Sequence, residues 1–293
     1  MNTSTNTSQS YSLDEVELTS RSKTASRDPA RTGASQTDGD REAVAVPTNR
    51  ATNNSINGEV KFLRWGVDSL YLSYQGNLHP EINEQLIQLK RQAQSEKQND
   101  QAKAQIKVGD HLFEVKDKGT SMFAYILEDN AFRIQLSRPN KAVPMAYVKL
   151  SSEYLTHLLP AEAEKRLSAI LSQLGALEST ANVSRIDLFV DFVSHQNMEA
   201  WDREAWVTHA ASVTAYAIDN RFTGWAIGLG GVMAGRLYDK LFEIIKSNKG
   251  YLIPLWQAGG WKEGEPIWRL EFEFKREMLV QKDLSKLTVS MLV

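Results

Sequence analysis

Alternating apolar and polar positions, interrupted by turn residues, run through most of the chain after residue 57. Such stretches, rich in aromatic and β-branched residues, predict strands over 61–74, 105–116, 121–128, 131–137, 145–150, 182–193, 212–219, 223–228, 232–238 and 267–275. Apolar residues at helical spacing predict helices over 80–99, 160–174 and 197–211, and a short helix that reaches residue 246. Gly175 is expected to end the second helix, and turns are expected at 128–130, at Asn220 and at 228–231.

The order of strand, helix and further strands occurs twice, which predicts an α+β fold. We expect antiparallel sheets with packed helices, and two related lobes, 58–178 and 179–293, are one option. Residues 1–57 are rich in Ser, Thr, Asn and Asp and poor in large apolar side chains. Because such a segment cannot bury enough surface to offset its ordering entropy, we interpret it as a disordered polar tail.

Composition narrows the class of protein. Hydrophobic residues make up 42% of the 293, which is enough for one large domain or two small ones with a core. The chain has no cysteine, no apolar run that could span a bilayer and no secretory signal, so we expect a cytoplasmic protein without membrane contact. A DNA-coating protein should be basic, whereas the formal net charge here is −2. A compact site needs cations in one groove only, so this charge does not exclude DNA binding.

Two carboxylates share one face of the predicted strand 182–193. Side chains alternate along a strand, so four apolar residues are predicted to face the core: Ile186, Leu188, Val190 and Phe192. Asp187 and Asp191 then share the opposite face with Arg185. Two carboxylates placed in this way need a nearby cation, either a divalent metal or a salt bridge to Arg185 or Arg269. The strand by itself favours the salt bridge.

The predicted strand 267–275 repeats this arrangement. Three apolar residues are predicted to face the core: Leu270, Phe272 and Phe274. Glu271 and Glu273 share the other face with Arg269 and Lys275, and the two carboxylates are about 7 Å apart along the strand. Hard oxygen ligands of this kind suit Mg²⁺ or Mn²⁺. The alternative is a strand face with cross-strand ion pairs, which is common.

A tyrosine lies between two cations at the end of the predicted strand 232–238. If the strand persists, Arg236, Tyr238 and Lys240 share one face. A phenol is a weak nucleophile at its usual pKa of ~10, and nearby positive charge favours phenolate and holds the phosphate that it attacks. Glu243, one helical turn further, is placed to hold Lys240. The alternative is a half-buried tyrosine with a hydrogen-bonded hydroxyl.

Together and in this order, these stretches resemble the replication-initiation factor family of rolling-circle plasmids and filamentous phages, the Rep_trans type. The resemblance extends from about Trp65 to about Leu279. Its most specific segments are VSRIDLFVDF at 183–192, TGWAIGLGGVMAGRLYDKLFE at 223–243 and WRLEFEFKRE at 268–277.

The resemblance implies a fold like that of the HUH nucleases and assigns roles to individual residues. Tyr238, in the segment RLYDK, is implied to attack DNA. The metal ligands are implied to be Asp187 with Glu271 or Glu273, and Asp191 is a further candidate. Mg²⁺ or Mn²⁺ is the expected cofactor.

The implied activity is that of a rolling-circle replication initiator, which nicks and rejoins one DNA strand through a 5′-phosphotyrosine. Arg236 and Lys240 would hold the phosphate, and Arg185, Arg269 and Lys275 are predicted to contact DNA. Expected partners are single-stranded or hairpin origin DNA and a host helicase and polymerase, and a homodimer is one option.

Two departures from the family pattern leave alternatives open. The family usually continues well past the R-L-E strand, whereas this chain ends at Val293, as a truncated copy would. The histidine pair of the broader HUH nucleases is missing, and His195 is better interpreted as a surface histidine than as a fourth ligand. The alternatives are an inactive DNA-binding regulator derived from an initiator, a metal-dependent phosphodiesterase in which Tyr238 only supports the carboxylates, and a structural protein with salt-bridged strands.

Overall fold

The computed structural model describes residues 60–139 and 142–281. Its strands are β1 (Lys61–Tyr74), β2 (Gly76–Leu78), β3 (Gln105–Val108), β4 (His111–Val115), β5 (Tyr125–Glu128), β6 (Phe132–Leu136), β7 (Ala146–Leu150), β8 (Gly175–Leu177), β9 (Asn182–Val193), β10 (Val213–Ile218), β11 (Arg221–Ile227), β12 (Met233–Asp239) and β13 (Ile267–Lys275). Its helices are α1 (Pro80–Ala93), α2 (Gln98–Gln101), α3 (Ser152–His157), α4 (Pro160–Leu174), α5 (Lys240–Ser247), α6 (Leu252–Ala258) and α7 (Arg276–Gln281). The predicted tail 1–57 lies outside the described residues.

Eleven of these strands form one antiparallel sheet in the order β10-β11-β12-β13-β9-β1-β7-β6-β5-β4-β3. The long strand β1 pairs with β7 on one side and with β9 on the other, so strands from both halves of the chain share the sheet. The predicted α+β class, with antiparallel sheet and packed helices, is confirmed. The division into two lobes stays a prediction. Within the described part of the chain, no helix is long and apolar enough to cross a membrane.

The larger core lies under α1 and α4, on the half of the sheet formed by β3 to β7 and the end of β1. Both helices begin with proline, which suits the first turn because its missing N–H has no helical partner there. Leu86 of α1 and Leu167 of α4 are fully buried with Leu70 and Leu72 of β1. Each such leucine contributes about 1.5–3 kcal/mol relative to an exposed one.

Gly175 ends α4 as predicted, but not through a left-handed conformation. Its backbone is extended, with φ −168° and ψ 170°. A Cβ at this position would lie 2.5 Å from the carbonyl oxygen of Asn77. The close pairing of β8 with β2 therefore requires glycine here.

The second core lies under α5 and α6, on the half of the sheet formed by β9, β13 and the start of β1. Its buried members are Leu63, Val193, Ile244, Leu252, Trp256 and Ile267. Helix α5 starts directly at the end of β12, where the Asp239 side chain accepts a hydrogen bond from the Phe242 amide at 3.0 Å. This N-cap sets where the strand ends and the helix begins, and so positions Tyr238 and Lys240 next to each other.

The predicted helix 197–211 is wrong. The structure has two short 3₁₀ turns there, Met198–Ala200 and Arg203–Ala205. The Asp202 side chain accepts from the amides of Glu204 and Ala205, which stabilises an isolated turn. Trp201 and Trp206 pack edge to face, 5.7 Å apart, against the cluster around Trp225 on β11, so tertiary packing determines this segment. Their role is core packing.

The helices cover opposite faces in the two halves of the sheet. Ile186 of β9 packs in the core under α1 and α4, whereas Asp191 of the same strand accepts a hydrogen bond from Trp256 of α6. These two positions are an odd number of residues apart, so their side chains point to opposite faces. The prediction that Leu188 faces the core is wrong, because it is 41% exposed on the face that α5 and α6 do not cover.

Strand β13 follows the same division between its two faces. Leu270, Phe272 and Phe274, predicted to face the core, are half-buried, and Phe274 packs against the larger core while Leu270 packs against the cluster around Trp225. Glu271 and Glu273, on the other face, are almost fully buried. Helices α5 and α6 pack against a charged face, and that face therefore contains the candidate site.

Candidate active site

The three strands that sequence patterns singled out are neighbours in the sheet, in the order β12, β13, β9. We call their shared buried surface the polar face, and its members are Arg185, Asp187, Asp191, Arg236, Tyr238, Arg269, Glu271 and Glu273. Arg236 is opposite Glu271, and Glu273 is opposite Asp187. The sheet register therefore brings the predicted nucleophile and the predicted acidic residues to one side.

The hydroxyl of Tyr238 lies between an acid and a cation. It donates to Oε2 of Glu271 at 3.0 Å and accepts from Nζ of Lys240 at 3.4 Å. Burial and the charge of Glu271 raise the pKa of Tyr238 well above its usual value. The phenol is therefore protonated at neutral pH, and its proton points at a carboxylate.

Lys240 is a buried cation, with only 1% of its side chain exposed. Its Nζ lies 2.5 Å from Oε2 of Glu243, the residue predicted to hold it. Burial and the neighbouring guanidinium of Arg269 lower the pKa of Lys240 to about 8. The ammonium is thus positioned by Glu243 and is easier to deprotonate than an ordinary lysine.

Arginines bridge the acidic residues of neighbouring strands. Arg236 donates to Glu271 and to Glu273, each at 3.2 Å. Arg185 donates to both oxygens of Asp187, at 2.8 and 2.6 Å, and lies 3.1 Å from Glu273. These pairs confirm that a salt bridge to Arg185 compensates the charge of Asp187 in this arrangement.

Arg269 is the centre of a second ionic group. It donates to both oxygens of Asp191, at 2.6 and 2.9 Å, and to Oδ1 of Asp68 at 2.5 Å. Only 1% of its side chain is exposed, so its predicted contact with DNA would require a rearrangement. Lys275 and Arg185 are more accessible, with 37% and 22% of their side chains exposed.

The four carboxylates predicted as metal ligands each bind an arginine. Within the residues that the structure describes, no group of three or more Asp, Glu or His side chains is placed to hold a metal ion. Burial raises the pKa of Asp187 and of Glu271, which disfavours their charged forms. The arrangement does not fit a divalent ion unless Arg185 or Arg236 moves away. His195 is exposed, as predicted for a surface histidine.

No protein-family model matches the sequence, and a comparison with curated proteins finds no match. The chain is similar in structure to a rolling circle replication initiator protein from Geobacillus stearothermophilus, with a TM-score of 0.41 and 11% sequence identity. That match covers 78% of this chain and 79% of the other. Because this likeness is remote, the function proposed below rests on the geometry of the polar face and on the resemblance of its motifs.

Sequence patterns missed two members of the site, Asp68 and Trp256. Asp68 lies at a shift in the pairing of β1 with β9, between Val67 and Ser69, and binds Arg269. Although burial acts to raise the pKa of Asp68, Arg269 holds it below its usual value. A lone carboxylate inside the aromatic strand β1 is the sequence feature that could have revealed it, because burying it requires a cation.

Proposed function

We propose that this chain is a rolling-circle replication initiator, in which Tyr238 cuts and rejoins one strand of DNA. One observation supports this most directly: the Tyr238 hydroxyl lies 3.0 Å from a Glu271 oxygen and 3.4 Å from the Lys240 ammonium. A nucleophile needs a group that accepts its proton and a cation that holds the phosphate, and both are present. The resemblance of the RLYDK segment to replication-initiation factors supports the same assignment.

The proposed reaction follows from these contacts. Glu271 accepts the phenol proton while the Tyr238 oxygen attacks phosphorus in line, and the bond from phosphorus to the 3′ oxygen breaks. The 3′ oxygen takes a proton from solvent, and the 5′ phosphate stays on the tyrosine. Arg236, with 33% of its side chain exposed, stabilises the charge that develops on the phosphoryl oxygens. Lys240, with 1% of its side chain exposed, contributes its charge through the Tyr238 hydroxyl and contacts the phosphate only after a rearrangement. A later attack by a 3′ hydroxyl reverses the step, so rejoining needs no ATP.

The cofactor, partners and setting of this reaction stay proposals. Mg²⁺ or Mn²⁺ at the acidic side chains would polarise the phosphate, and this requires the arginines to release their carboxylates. The proposed substrate is single-stranded or hairpin origin DNA. The freed 3′ hydroxyl primes a host polymerase, and a host helicase is the other proposed partner. The proposed setting is the cytoplasm. A homodimer is compatible with this scheme.

A second candidate is a DNA-binding regulator that no longer cuts. The observation in its favour is the closed ionic network of the polar face. Arg236 binds Glu271 and Glu273, and Arg269 binds Asp191 and Asp68, so the cations that would hold a phosphate already have partners. In this reading Tyr238 is a structural hydrogen-bond donor.

A covalent-adduct assay separates these functions. The full chain is incubated with single-stranded oligonucleotides of random sequence that carry a label at the 3′ end, with Mg²⁺, with Mn²⁺ and with EDTA. Attack by tyrosine transfers the labelled fragment to the protein, which a denaturing gel detects. The test variant is Tyr238→Phe, and the control is Tyr216→Phe, which alters a tyrosine that is 44% exposed on β10.

Each outcome of this assay points to one function. An adduct formed by the wild type and by Tyr216→Phe, but absent in Tyr238→Phe, supports the nicking proposal. Cutting that persists in Tyr238→Phe contradicts it and indicates a phosphodiesterase. Binding without any adduct in the intact protein indicates the regulator. Loss of the adduct in EDTA supports the metal, and an undiminished yield contradicts it.

A further inference from the structure

A row of basic and aromatic side chains crosses five neighbouring strands beside the polar face. Its members, in sheet order, are Lys275 of β13, Arg185 of β9, Tyr71 of β1, Lys149 of β7 and Arg133 of β6. Each is directly opposite the next in the register, so all five side chains point to the same side of the sheet. Neighbouring strands are spaced by about 4.8 Å, which makes the row about 19 Å long. We call these residues the basic row.

The basic row extends over a side of the first half of the sheet that solvent reaches. Leu70 and Leu72, on either side of Tyr71, are fully buried under α1 and α4. Because side chains alternate along a strand, Tyr71 points to the opposite face. Every member of the basic row is partly exposed there. A ligand can therefore reach the row from solvent.

Two tyrosines form the aromatic part of this surface. Tyr147 of β7 is partly exposed on the same face as Tyr71, and the centroids of the two rings are 6.0 Å apart. Cations flank the ring of Tyr71, with Nζ of Lys149 5.5 Å and Cζ of Arg185 5.1 Å from its centroid. Aromatic rings beside cations are the groups that bind single-stranded nucleic acid, since bases stack on the rings and phosphates pair with the cations.

The polar face opens toward the basic row. At the end covered by α5 and α6, Arg269 has only 1% of its side chain exposed. Exposure rises to 33% at Arg236 and 37% at Lys275, which lie further along β12 and β13. Arg185 belongs to both surfaces and joins them. A DNA strand that approaches Tyr238 from solvent therefore enters at this edge, beside the basic row.

Carboxylates also contact the cations of the basic row. Among the described residues, these contacts join Arg185 to Asp187 and Glu273, Lys275 to Glu273, and Arg133 to Glu128. Two of the carboxylates are shared with a cation outside the row, Glu128 with Lys116 and Glu273 with Arg236. Arg133 and Glu128 are 40% and 34% exposed, and an exposed pair contributes little to stability. Arg133 can therefore exchange its carboxylate for a phosphate, whereas Arg185 keeps its buried partner Asp187.

We propose that the basic row and Tyr147 bind the single strand of DNA whose scissile phosphate meets Tyr238. Its bases stack on Tyr71 and Tyr147. Its phosphates bind Lys149 and Arg133. The inference rests on the proposed function, because it takes the strand at Tyr238 as its starting point. The bound DNA is single-stranded, because the bases of a duplex stack on each other and offer no free face to a tyrosine.

The test measures binding of a labelled oligothymidylate to the full chain by fluorescence anisotropy, in the Tyr238→Phe background to prevent cutting. Tyr71→Leu and Tyr147→Leu should each weaken binding about tenfold, because a ring that stacks on a base is lost. Tyr147→Phe, which keeps the ring, should bind like the parent protein. The matched control is Trp65→Leu, which removes a 76% exposed ring from the opposite face of β1 and should leave the affinity unchanged.

The salt dependence of binding tests the cations. Lys149→Gln should lower the slope of log affinity against log salt concentration by about 0.7, the value for one phosphate on a single strand. The tyrosine variants should leave this slope unchanged, because they remove no charge. The control Arg166→Gln, which alters an exposed arginine on α4 that pairs with Glu162, should also leave it unchanged.

Three results overturn the proposal. One is parent-level affinity in both Tyr71→Leu and Tyr147→Leu, and another is an equal loss of affinity in Trp65→Leu. The third is a loss of affinity for a fully paired duplex as large as that for the single strand, because stacking on a tyrosine requires unpaired bases.

Photocrosslinking carries the test if a leucine variant does not fold, as judged by its thermal unfolding. The oligothymidylate then contains 5-iodouracil in place of thymine, and it is irradiated with the Tyr238→Phe protein. A crosslink that mass spectrometry maps to Tyr71 or Tyr147 supports the proposal. Crosslinks confined to other residues overturn it.

Failure of this surface and failure of the proposed function give different results. A wild-type adduct, with binding that the tyrosine variants do not change, contradicts the strand-binding surface and leaves the nicking function in place. Binding that depends on the two rings, with no adduct formed by the wild type, contradicts nicking and supports strand binding by the regulator.

Discussion

The two halves of the sheet differ in whether they bury charged side chains beneath their helices. Under α1 and α4, the first half buries aliphatic and aromatic residues such as Leu70, Leu86 and Leu167. Under α5 and α6, the second half buries a smaller apolar cluster around Trp256 and, beside it, the charged and phenolic side chains of the polar face, among them Arg269 and Glu271. Apolar burial is stabilising by itself, whereas buried charges need a compensating partner for each group.

If the proposed function is correct, this difference separates the half whose apolar core stabilises the fold from the half that carries the chemistry. A buried ion pair is weak support for stability, and removing one partner leaves a costly unpaired charge. A buried cluster of groups with shifted pKa values is a functional-site candidate.

Glu271→Gln should lower the rate of adduct formation by about 10²–10⁴-fold, because the amide cannot take the proton of Tyr238. The matched control is Glu114→Gln, an exposed carboxylate on β4 in the first half of the sheet. The measurement is the adduct assay under single-turnover conditions. Equal rates of adduct formation in Glu271→Gln and the wild type would show that the Glu271 carboxylate has no catalytic role.

Arg269→Met should destabilise the fold by about 3–5 kcal/mol, because it leaves Asp191 and Asp68 buried without a cation. Denaturant unfolding measures this loss. Arg269 holds the pKa of Asp68 below its usual value in the folded protein. The interaction between Arg269 and Asp68 therefore stabilises the fold above the unfolded-state pKa of Asp68, and this stabilisation is lost as pH falls through the folded-state pKa of Asp68. The gap between wild type and variant should therefore narrow in acid. The control Arg166→Met, which alters an exposed i,i+4 pair with Glu162, should leave the unfolding midpoint unchanged.

Local patterns predicted most strands because their side-chain alternation and flanking turns are encoded nearby. The predicted single strand 105–116 is wrong: it is a hairpin of β3 and β4, with Gly109 in the turn at φ 57°. The bounds of β1, β9 and β13 agree with the predictions, and α4 ends before Gly175 as expected. The short helices α3 and α6 were not predicted, since α3 has only six residues and α6 seven, too few to establish a helical period.

The candidate site was predictable as a set of residues and not as an arrangement. Tyr238, Glu271 and Asp187 were identified from alternation and motif resemblance, and the register of β12, β13 and β9 places them on one side. Which face the helices cover is a tertiary property, so the prediction that Leu188 faces the core was wrong.

Leu167→Ala should destabilise the fold by about 2–5 kcal/mol through a cavity in the first-half core. Leu167 is fully buried between α4 and the sheet. The adduct rate per folded molecule should stay at the wild-type level, because the cavity is in the half without the polar face. The control Leu188→Ala, at a 41% exposed position, should change the denaturant midpoint much less. A large loss of activity in folded Leu167→Ala would break the division between the two halves.

Lys240→Met should change how stability depends on pH, and this is the smallest effect of the series. The pKa of Lys240 is lowered by burial to about 8, so above that pH the folded protein holds it neutral while the unfolded chain keeps it charged. Above pH ~8 the unfolded state therefore binds more protons than the folded state. Between pH ~8 and pH ~9.5 the free energy of unfolding of the wild type should rise, relative to that of the variant, by on the order of 2 kcal/mol. Below pH ~8 the two curves should run parallel.

Denaturant unfolding at several pH values measures this difference. Burial raises the pKa of Tyr74 and of Tyr238, so both phenols remain protonated in the folded state. Both phenols are present in the wild type and in Lys240→Met, so the comparison of the two proteins isolates Lys240. The control Ile170→Met alters a buried position on α4 and should show the wild-type pH dependence. Parallel curves for Lys240→Met and wild type up to pH ~9.5 would mean that Lys240 is an ordinary ammonium. Lys240 would then be buried with its usual protonation. In the proposed reaction it would act through its positive charge alone.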